Sequence, residues 1–231
     1  GYYPRPTIES NELGGDDGYA LKCNRQSINY SAITINARSN WWGTVDPYGI
    51  MDLIYDYTEN SNAPTVDFTP FLDGPGGGAV PGEYVHGFIN GNTTWGVSSN
   101  PYLVLAPTSL RDGVTLTIES GVEVRFDGPH SLTVLGTLLA QGEAGNEVVF
   151  TSNQATPARG DWESLYFYNT GSSGSVLDHV LVEYANYGIH GYNSDAAVTG
   201  SLLRENNRGI YLDYDADFTI TENEITSNGV G

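Results

Sequence analysis

The feature that most limits how this chain can fold is a set of short strands with period-two alternation that recur along it. The stretch from Gly113 to Phe126, GVTLTIESGVEVRF, alternates apolar and polar residues on both sides of a Ser-Gly turn, which is the pattern of half-buried strands. The positions predicted to point inward are Val114, Leu116, Ile118, Val122, Val124 and Phe126. The Leu-Thr-(Ile/Val) pattern returns sixteen residues later, from Leu132, and such repetition suggests the coils of a solenoid.

A second repeat lies nearer the C-terminus. The pairs Gly188-Ile189, Gly209-Ile210 and Gly229-Val230 recur at intervals of 21 and 20 residues, each after a polar corner. In a solenoid each strand pairs in parallel with its equivalent one coil further on, about 4.8 Å away. The spacing therefore predicts one coil per interval.

A helix that caps an end of the solenoid is predicted after the first coils. In NWWGTVDPYGIMDLIYD, Asp46 can cap a helix, Pro47 suits the first helical position, and Ile50 begins an apolar stripe. The helix is predicted from Pro47 to Tyr57. The following GPGGGAVPG can sustain neither a helix nor a central strand, so residues 74–82 are predicted to be a linker.

The two ends of the chain carry matching motifs. TIESNEL at residues 7–13 and TITENEI at residues 219–225 share Thr-Ile-x-x-Asn-Glu-(Ile/Leu). With residue 1 placed after residue 231, the motifs fall 19 residues apart, close to the coil interval. The predicted interface positions are Thr7, Ile8, Asn11 and Leu13 with Thr219, Ile220, Asn223 and Ile225. Residues 1–73 are therefore predicted to be closing coils with the capping helix, and residues 83–231 opening and middle coils.

Composition limits the partners. Asp and Glu total 28 against nine Lys and Arg, a net charge of −19, which disfavours nucleic acid and anionic membrane surfaces and favours cations such as Ca²⁺. Asp213, Asp215 and Asp217 alternate in LDYDADF, so on a strand they would share one face and could gather Ca²⁺. A solvated acidic face is the alternative. If the two ends of the chain stack, Asp16 and Asp17 lie about one coil after the Asp213–Asp217 segment and could extend the Ca²⁺ site. No cofactor other than Ca²⁺ is expected.

No catalytic site is predicted. Arg204, Arg208, His179, His190 and Glu183 are the candidate groups, but no pair stands at a diagnostic spacing. Histidines on solenoid coils are more often surface or corner residues, and arginines in an acidic protein usually form ion pairs.

The same composition bears on location. Cys23 stands alone, which excludes a disulfide within the chain. No apolar run approaches the roughly 18 residues needed to span a bilayer, so membrane insertion is not expected. A single lysine among the nine cations, with abundant Gly, Asn, Ser, Thr and Tyr, is common among extracellular β proteins. An extracellular or cell-surface location is predicted.

Three kinds of segment resemble the pectate-lyase-like right-handed β-helix repeat proteins secreted by bacteria and archaea. TTWGVSSNPYLV, GVTLTIESGVEVRF and LTVLGTLLAQG are similar to their opening, GDWESLYFYNTGSSGSVLDHVLVEYANYGIHG to their middle coils, and NWWGTVDPYGI to their closing segment. The resemblance implies an all-β fold, a right-handed parallel β-helix. In this chain, however, the closing segment precedes the opening one.

Three arrangements explain that order. In the first, this chain is one period of a longer tandem polypeptide, taken from the middle of one unit to the middle of the next. In the second, it is a subunit whose N-terminal coils complete its neighbour. In the third, it is a permuted monomer whose N-terminal coils dock on its own C-terminal edge. The first two give an open-ended fibre. The leading hypothesis is a structural subunit or tandem unit of an extracellular β-solenoid filament, assembled head to tail with itself. Because this fold hosts many functions, a polysaccharide lyase or hydrolase and a glycan-binding adhesin are the alternatives.

Overall fold

The computed structural model of the protein describes residues 7–14, 18–23 and 33–230. In those ranges the chain is almost entirely β-structure, and no helix is long and apolar enough to cross a membrane. The N-terminal elements are β1 (Leu21–Lys22), β2 (Thr34–Asn36), α1 (Pro47–Asp52), β3 (Ile54–Tyr55) and β4 (Thr65–Asp67). The remaining strands are β5 (Glu83–Ile89), β6 (Thr93–Trp95), β7 (Tyr102–Leu110), β8 (Thr115–Ile118), β9 (Glu123–Phe126), β10 (Ser131–Val134), β11 (Thr137–Gln141), β12 (Val148–Ser152), β13 (Trp162–Tyr168), β14 (Ser175–Asp178), β15 (Val180–Glu183), β16 (Ala185–Tyr192), β17 (Ala196–Thr199), β18 (Leu202–Arg204), β19 (Arg208–Asp213), β20 (Thr219–Thr221) and β21 (Glu224–Thr226).

From β5 onward the strands stack as coils with three faces, and they pair in parallel. The first face contains the C-terminal halves of β5 and β7, then β10, β13, β16 and β19. The second contains β6, β8, β11, β14, β17 and β20. The third contains the N-terminal halves of β5 and β7, then β9, β12, β15, β18 and β21. This arrangement is a parallel β-helix, which confirms the predicted fold class.

Inward side chains of successive coils stack into continuous apolar columns. On the second face, Ile118, Ala140, Leu177 and Val198 pair in register and are fully buried. The positions of the Gly113–Phe126 stretch that were predicted to face inward are all buried. Because stacked strands lie about 4.8 Å apart, each column is in continuous van der Waals contact, and its burial is the main source of stability.

One coil is longer than the sixteen residues that separate Leu116 from Leu132 in the sequence repeat. Leu116 pairs with Leu138, one full coil later, whereas Leu132 lies on the first face. The sixteen-residue repeat is therefore wrong as a coil, because it advances along only two of the three faces. The 21-residue interval is a coil, since Ile189 and Ile210 are paired.

The N-terminal residues form a smaller stack of parallel coils. Strand β1 pairs with β3 and β2 with β4, while Thr7 bridges to Asn36 and Glu12 to Trp41. This stack has its own core, which is formed by Ile33, Ile35, Ala37, Trp42, Ile50, Ile54, Val66, Phe68 and Phe71.

Helix α1 begins where it was predicted and ends earlier. The side chain of Asp46 accepts a hydrogen bond from the backbone N–H of Tyr48 (3.2 Å), and Pro47 is the first helical residue. The helix ends at Asp52, not at Tyr57, because the chain continues into β3 and pairs with β1. The helix therefore belongs to one coil of the N-terminal stack.

The segment 74–82 is a compact turn that brings β5 against the N-terminal coils. At its base Leu72 forms an antiparallel bridge with Ala79. Beyond it, His86 Nε2 lies 3.3 Å from Asp56 Oδ2, and both side chains are buried. The ring of His86 also stacks on a phenylalanine of the N-terminal core. The two stacks of coils therefore share a buried polar contact.

An ion-pair bridge crosses the same junction. Arg38 donates from Nε to Asp67 Oδ2 (2.6 Å) and from Nη2 to Glu83 Oε1 (2.7 Å). Burial raises the pKa of the Glu83 carboxyl; the charge of Arg38 opposes this shift and that of Asp67 adds to it. These groups line a cleft of about 360 Å³ between the N-terminal coils and β5. The N-terminal coils thus cover the first edge of the larger stack.

Candidate functional site

The residues predicted to form a junction lie in the first and the last coil of the described chain. Residues 7–13 stack on residues 36–41, and residues 219–226 stack on residues 197–204. The first coil contains Thr7, Ile8, Asn11 and Leu13, and the last contains Thr219, Ile220, Asn223 and Ile225. Within one chain the structure does not bring these two coils together. In a permuted monomer the N-terminal coils would dock on the C-terminal edge of the same chain. The structure differs from that arrangement, because its N-terminal coils cover β5.

The last coil leaves inward-facing side chains uncovered. Ile220 continues the column of Val198, and Ile225 continues the column of Leu203. Val198 and Leu203 are fully buried, whereas Ile220 and Ile225 are 40% and 42% exposed. The columns therefore end with apolar surface in water.

The first coil presents an equivalent pair of apolar side chains. The bridges of this coil align Ile8 with Ala37 and Leu13 with Trp42, both of which are inward-facing core residues. Ile8 and Leu13 are partly buried because they pack on the N-terminal core from one side. Each outer coil thus packs on one side, and no further coil of the described residues lies on its other side.

The two outer coils turn the same corner. In each, a residue with left-handed backbone precedes an asparagine: Ser10 (φ 59°) before Asn11, and Glu222 (φ 58°) before Asn223. Two inner corners, Ser39-Asn40 (φ 56°) and Glu205-Asn206 (φ 52°), share this structure, as does the second corner of the last coil, Ser227-Asn228 (φ 52°). Left-handed backbone is uncommon outside glycine, so its recurrence before asparagine marks one repeated corner.

At these corners the asparagine side chain binds the backbone of the preceding coil. Asn206 Oδ1 accepts a hydrogen bond from the N–H of Ala185 (2.8 Å), and Asn206 Nδ2 donates to the C=O of Val182 (3.0 Å). We call this pair the corner hydrogen bonds. Equivalent pairs are made by Asn40, Asn223 and Asn228. They satisfy backbone groups that the strand ladders leave unpaired at the turn.

The first face carries a cluster of aromatic side chains on its outer surface. We call this cluster the aromatic face; it comprises Tyr166, Tyr168, Tyr187, His190, Tyr192, Tyr211 and Tyr214. Tyr168, Tyr192 and Tyr214 form a stacked column with ring centroids 5.4 Å and 5.1 Å apart. Tyr214 is 62% exposed, so the column ends in a ring that is open to solvent.

His190 lies at the centre of the aromatic face. Its ring centroid is 4.5 Å from that of Tyr166 and 5.1 Å from that of Tyr211. Burial lowers the pKa of His190, and the charges of nearby carboxylates only partly oppose this shift, so the site favours the uncharged imidazole. The guanidinium carbon of Arg208 lies 5.2 Å from the ring centroid of Tyr211, a cation–π distance. The surface thus combines apolar rings with hydroxyl, imidazole and guanidinium groups.

The three aspartates predicted to bind Ca²⁺ do not share a strand face. Strand β19 ends at Asp213, and left-handed backbone at the next two residues, including Asp215 (φ 51°), turns the chain before Asp217. The segment is therefore not one continuous strand, which was the condition for a shared face. Among the residues the structure describes, no group of three or more His, Cys, Asp or Glu is placed to hold a metal ion. Ca²⁺ binding stays a prediction; Asp16 and Asp17 lie outside the described residues.

The candidate catalytic groups form local pairs. Arg204 Nε donates to Glu183 Oε2 (3.0 Å), and Thr151 Oγ1 donates to Glu183 Oε1 (3.0 Å). His179 Nδ1 lies 2.7 Å from Asp178 Oδ1. Arg204 thus forms the kind of ion pair expected of the arginines, whereas Arg208 lies against the rings of Tyr187 and Tyr211. The expectation that the chain has no catalytic site stays a prediction.

A stack of parallel three-faced coils with repeated corner asparagines defines a solenoid protein of the parallel β-helix class. The family profile described as the pectate-lyase-like beta helix domain matches residues 87–213, more than half of the chain. The chain belongs to this family. Protein bark beetle of Drosophila melanogaster is 31% identical over 127 residues, which cover 49% of this chain and 4% of that protein. The match thus spans a small part of that relative's length. No solved structure gives a significant match.

Sequence reasoning left the tyrosines of the aromatic face unassigned. The alignment of successive coils could have located them. In that alignment Tyr166, His190 and Tyr211 are paired, and two residues later along the same strands Tyr168 is paired with Tyr192. Aromatic residues at one outward position of consecutive coils become visible only when the coils are aligned.

Proposed function

We propose that this chain is a structural unit of an extracellular β-solenoid and joins head to tail with a second copy of itself. The observation that carries this proposal is the equivalence of the two outer coils. They share the Thr-Ile-x-x-Asn-Glu pattern, the left-handed corner and the apolar inward positions. In the described part of the chain, no coil precedes the first one and no coil follows the last one. A second copy would therefore continue the stack in the same chain direction.

Stacking would cover apolar surface that is exposed on one copy. Ile8 and Leu13 of the second copy would lie over Ile220 and Ile225, which are 40% and 42% exposed. Full burial of such a side chain contributes about 1.5–3 kcal/mol, so covering the remaining two-fifths of both gives about 2 kcal/mol. Backbone hydrogen bonds along the added strands would contribute further, as in other cases of strand addition to a sheet edge.

Charge opposes this contact. In the proposed register Glu12 lies opposite Glu224, and like charges opposite each other destabilise paired strands. Each copy also carries a net charge of −19. Salt screens both repulsions, because the Debye length falls from about 10 Å at 0.1 M to about 3 Å at 1 M. Association is therefore expected to strengthen as ionic strength rises.

Negative-stain electron microscopy and sedimentation velocity of the 231-residue chain test the proposal. Both are recorded over a range of protein and salt concentrations, with Ca²⁺ and with a chelator. We expect multimers that lengthen by one unit at a time and increase with salt. Monomers at every concentration and ionic strength would overturn the proposal. Loss of multimers with the chelator would add Ca²⁺ to the contact.

Variants of the two outer coils provide the control. Ile225→Asp places a carboxylate in the covered column, where an unpaired charge is strongly unfavourable, and should abolish multimers; Ile8→Asp with Leu13→Asp tests the other side of the contact. Val97→Asp is the matched control, because Val97 is 58% exposed and lies in the opening coil, away from both outer coils. Circular dichroism verifies that each variant remains folded.

A second function, binding of a neutral polysaccharide, is favoured by the aromatic face. Sugar rings have an apolar C–H side that packs on aromatic rings and hydroxyl groups that bind polar side chains. Tyr214 offers an open ring, and Arg208 and His190 lie beside the neighbouring tyrosines. The charge of −19 disfavours anionic polysaccharides.

Pull-down with insoluble neutral polysaccharides and calorimetry with soluble oligosaccharides test this function. Tyr192→Ala with Tyr214→Ala removes most of the stacked column and should abolish binding. Tyr19→Ala is the matched control, since Tyr19 is 47% exposed but lies in the N-terminal coils. Equal binding by all of these proteins would exclude the aromatic face as the binding surface.

A further inference from the structure

The corner hydrogen bonds follow one rule of position. Each corner asparagine is aligned with one residue of the preceding coil. Its Oδ1 accepts a hydrogen bond from the backbone N–H of that aligned residue, and its Nδ2 donates to the C=O of the residue three positions earlier in the preceding coil. Asn40 shows this on the first coil: its Oδ1 accepts from the N–H of Asn11 (2.8 Å), and its Nδ2 donates to the C=O of Ile8 (2.6 Å). The same offset holds for Asn206, Asn223 and Asn228.

Asn11 has the corner conformation but a different set of partners. It belongs to the first coil of the described chain, and its side chain is exposed. Its Nδ2 donates to the C=O of Glu9 (2.8 Å) and lies 3.3 Å from Asn40 Oδ1. The contact with Asn40 is also made at an inner corner, where Asn206 Nδ2 donates to Asn228 Oδ1 at 3.1 Å. Asn11 is thus oriented like an inner corner asparagine.

We infer that Asn11 of a second copy makes the corner hydrogen bonds to the last coil, accepting from the N–H of Asn223 and donating to the C=O of Ile220. The inference rests on the proposed head-to-tail contact and adds the residue that fixes its register. The partners follow from the offset, because the matching motifs align Asn11 with Asn223 and Ile8 with Ile220.

Register at such a contact needs two kinds of control. A slip of one residue turns Ile8 and Leu13 outward, so strand alternation alone opposes it. If the two coils shift by two residues relative to each other, the same side chains still point inward. Such a shift is opposed only by residues whose contacts depend on their exact position along the strand. The corner asparagine is such a feature, since its amide then faces the wrong backbone groups and leaves polar groups unsatisfied.

Paired cysteines measure the register directly. Glu9→Cys with Thr221→Cys forms an aligned pair of outward positions, whose Cα atoms would lie about 4.8 Å apart, within the range of about 4.4–6.8 Å for a disulfide. Glu9→Cys with Thr219→Cys is the control pair, which is out of register by two residues. Both pairs are made with Cys23→Ser, which removes the native thiol. Oxidation of the aligned pair should yield covalent multimers, and the control pair should yield few.

Asn11→Ala in the aligned-cysteine chain then tests the asparagine. We expect about tenfold less cross-linking at equal protein concentration, the change that corresponds to one or two net hydrogen bonds. The melting temperature of the monomer should change little, because the side chain of Asn11 is exposed and its shorter contact, to the C=O of Glu9, is exposed too. Asn11→Asp keeps an acceptor but loses the donor at neutral pH. It should be as weak as alanine there. At a pH low enough to protonate the carboxyl, where thiol oxidation is too slow to report, sedimentation velocity should show its association recovering relative to the chain with Asn11.

The outcomes separate this inference from the proposed function. Cross-linking of the aligned pair that Asn11→Ala does not reduce would overturn the role of Asn11 and leave the head-to-tail contact in place. Preferential cross-linking of the control pair would overturn the register. If neither pair cross-links and sedimentation shows only monomers, the head-to-tail contact itself fails.

Discussion

Replacing Asn206 by alanine should destabilise the β-helix strongly. Asn206 is fully buried, and its side chain binds the N–H of Ala185 at 2.8 Å and the C=O of Val182 at 3.0 Å. It also donates to Asn228 Oδ1 at 3.1 Å. Alanine would leave both backbone groups of the preceding coil without a partner in a site that is closed to solvent.

The expected loss follows from these contacts. A buried donor or acceptor left unsatisfied costs about 1–3 kcal/mol, and two backbone groups are affected. We therefore expect the free energy of unfolding to fall by about 4 kcal/mol, a large part of the roughly 5–15 kcal/mol available to a typical domain. The loss should be local, because in a stacked solenoid each coil contacts mainly its neighbours.

Urea unfolding followed by circular dichroism measures the total effect, and hydrogen exchange of the Ala185 amide measures the local one. Protection of that amide should fall most, because it loses its acceptor. Asn11→Ala is the matched control for an exposed corner, with an expected change within about 0.5 kcal/mol. A loss below about 1 kcal/mol for Asn206→Ala, or unchanged protection at Ala185, would refute this account of the corners.

Acid, thiol reagents and charge removal test three other features. Burial alone would raise the pKa of Asp56, but His86 and backbone N–H donors outweigh it and hold that pKa below the unfolded value of about 3.9. The stability that ionised Asp56 contributes is therefore complete above about pH 4, and it is lost as the pH falls through the lower pKa of the folded state. Asp56→Asn should remove this loss, so the melting temperature of the variant should fall less steeply in acid. An unchanged fall would contradict this prediction. Burial, with the charge of Asp56, raises the pKa of the Cys23 thiol to about 11; at neutral pH a thiol reagent should modify native protein much more slowly than urea-unfolded protein, and equal rates would exclude this. Glu12→Gln with Glu224→Gln should lower the salt concentration at which multimers appear in sedimentation velocity, and no shift would argue against the proposed register.

The parts of the fold that the sequence predicted depend on local patterns. Strand alternation placed Val124 and Phe126 inward because a strand turns its side chains to opposite faces whatever surrounds it, and both are fully buried. The start of α1 was predictable for the same reason, since Asp46 and Pro47 act on the first helical turn alone. The match between the outer coils was also visible as a motif.

The parts that could not be predicted depend on register between coils. Leu116 was matched to Leu132 by sequence, but the chain places Leu138 beside it, because a spacing of sixteen residues passes only two of the three faces of a coil. Asp213 and Asp215 were separated by a left-handed turn that the alternating pattern does not reveal. The aromatic face needs three coils in register before its rings meet, so composition alone could not locate it.

Parallel pairing has a consequence for any assembly of this chain. Every pairing between the named strands is parallel in the part of the chain that the structure describes, so the first and last coils present different chemical groups to their surroundings. A head-to-tail contact joins a last coil to a first coil, so it is heterologous and has no twofold axis. An array built in this way has polarity: its two tips differ, and subunits add at the two tips through different surfaces.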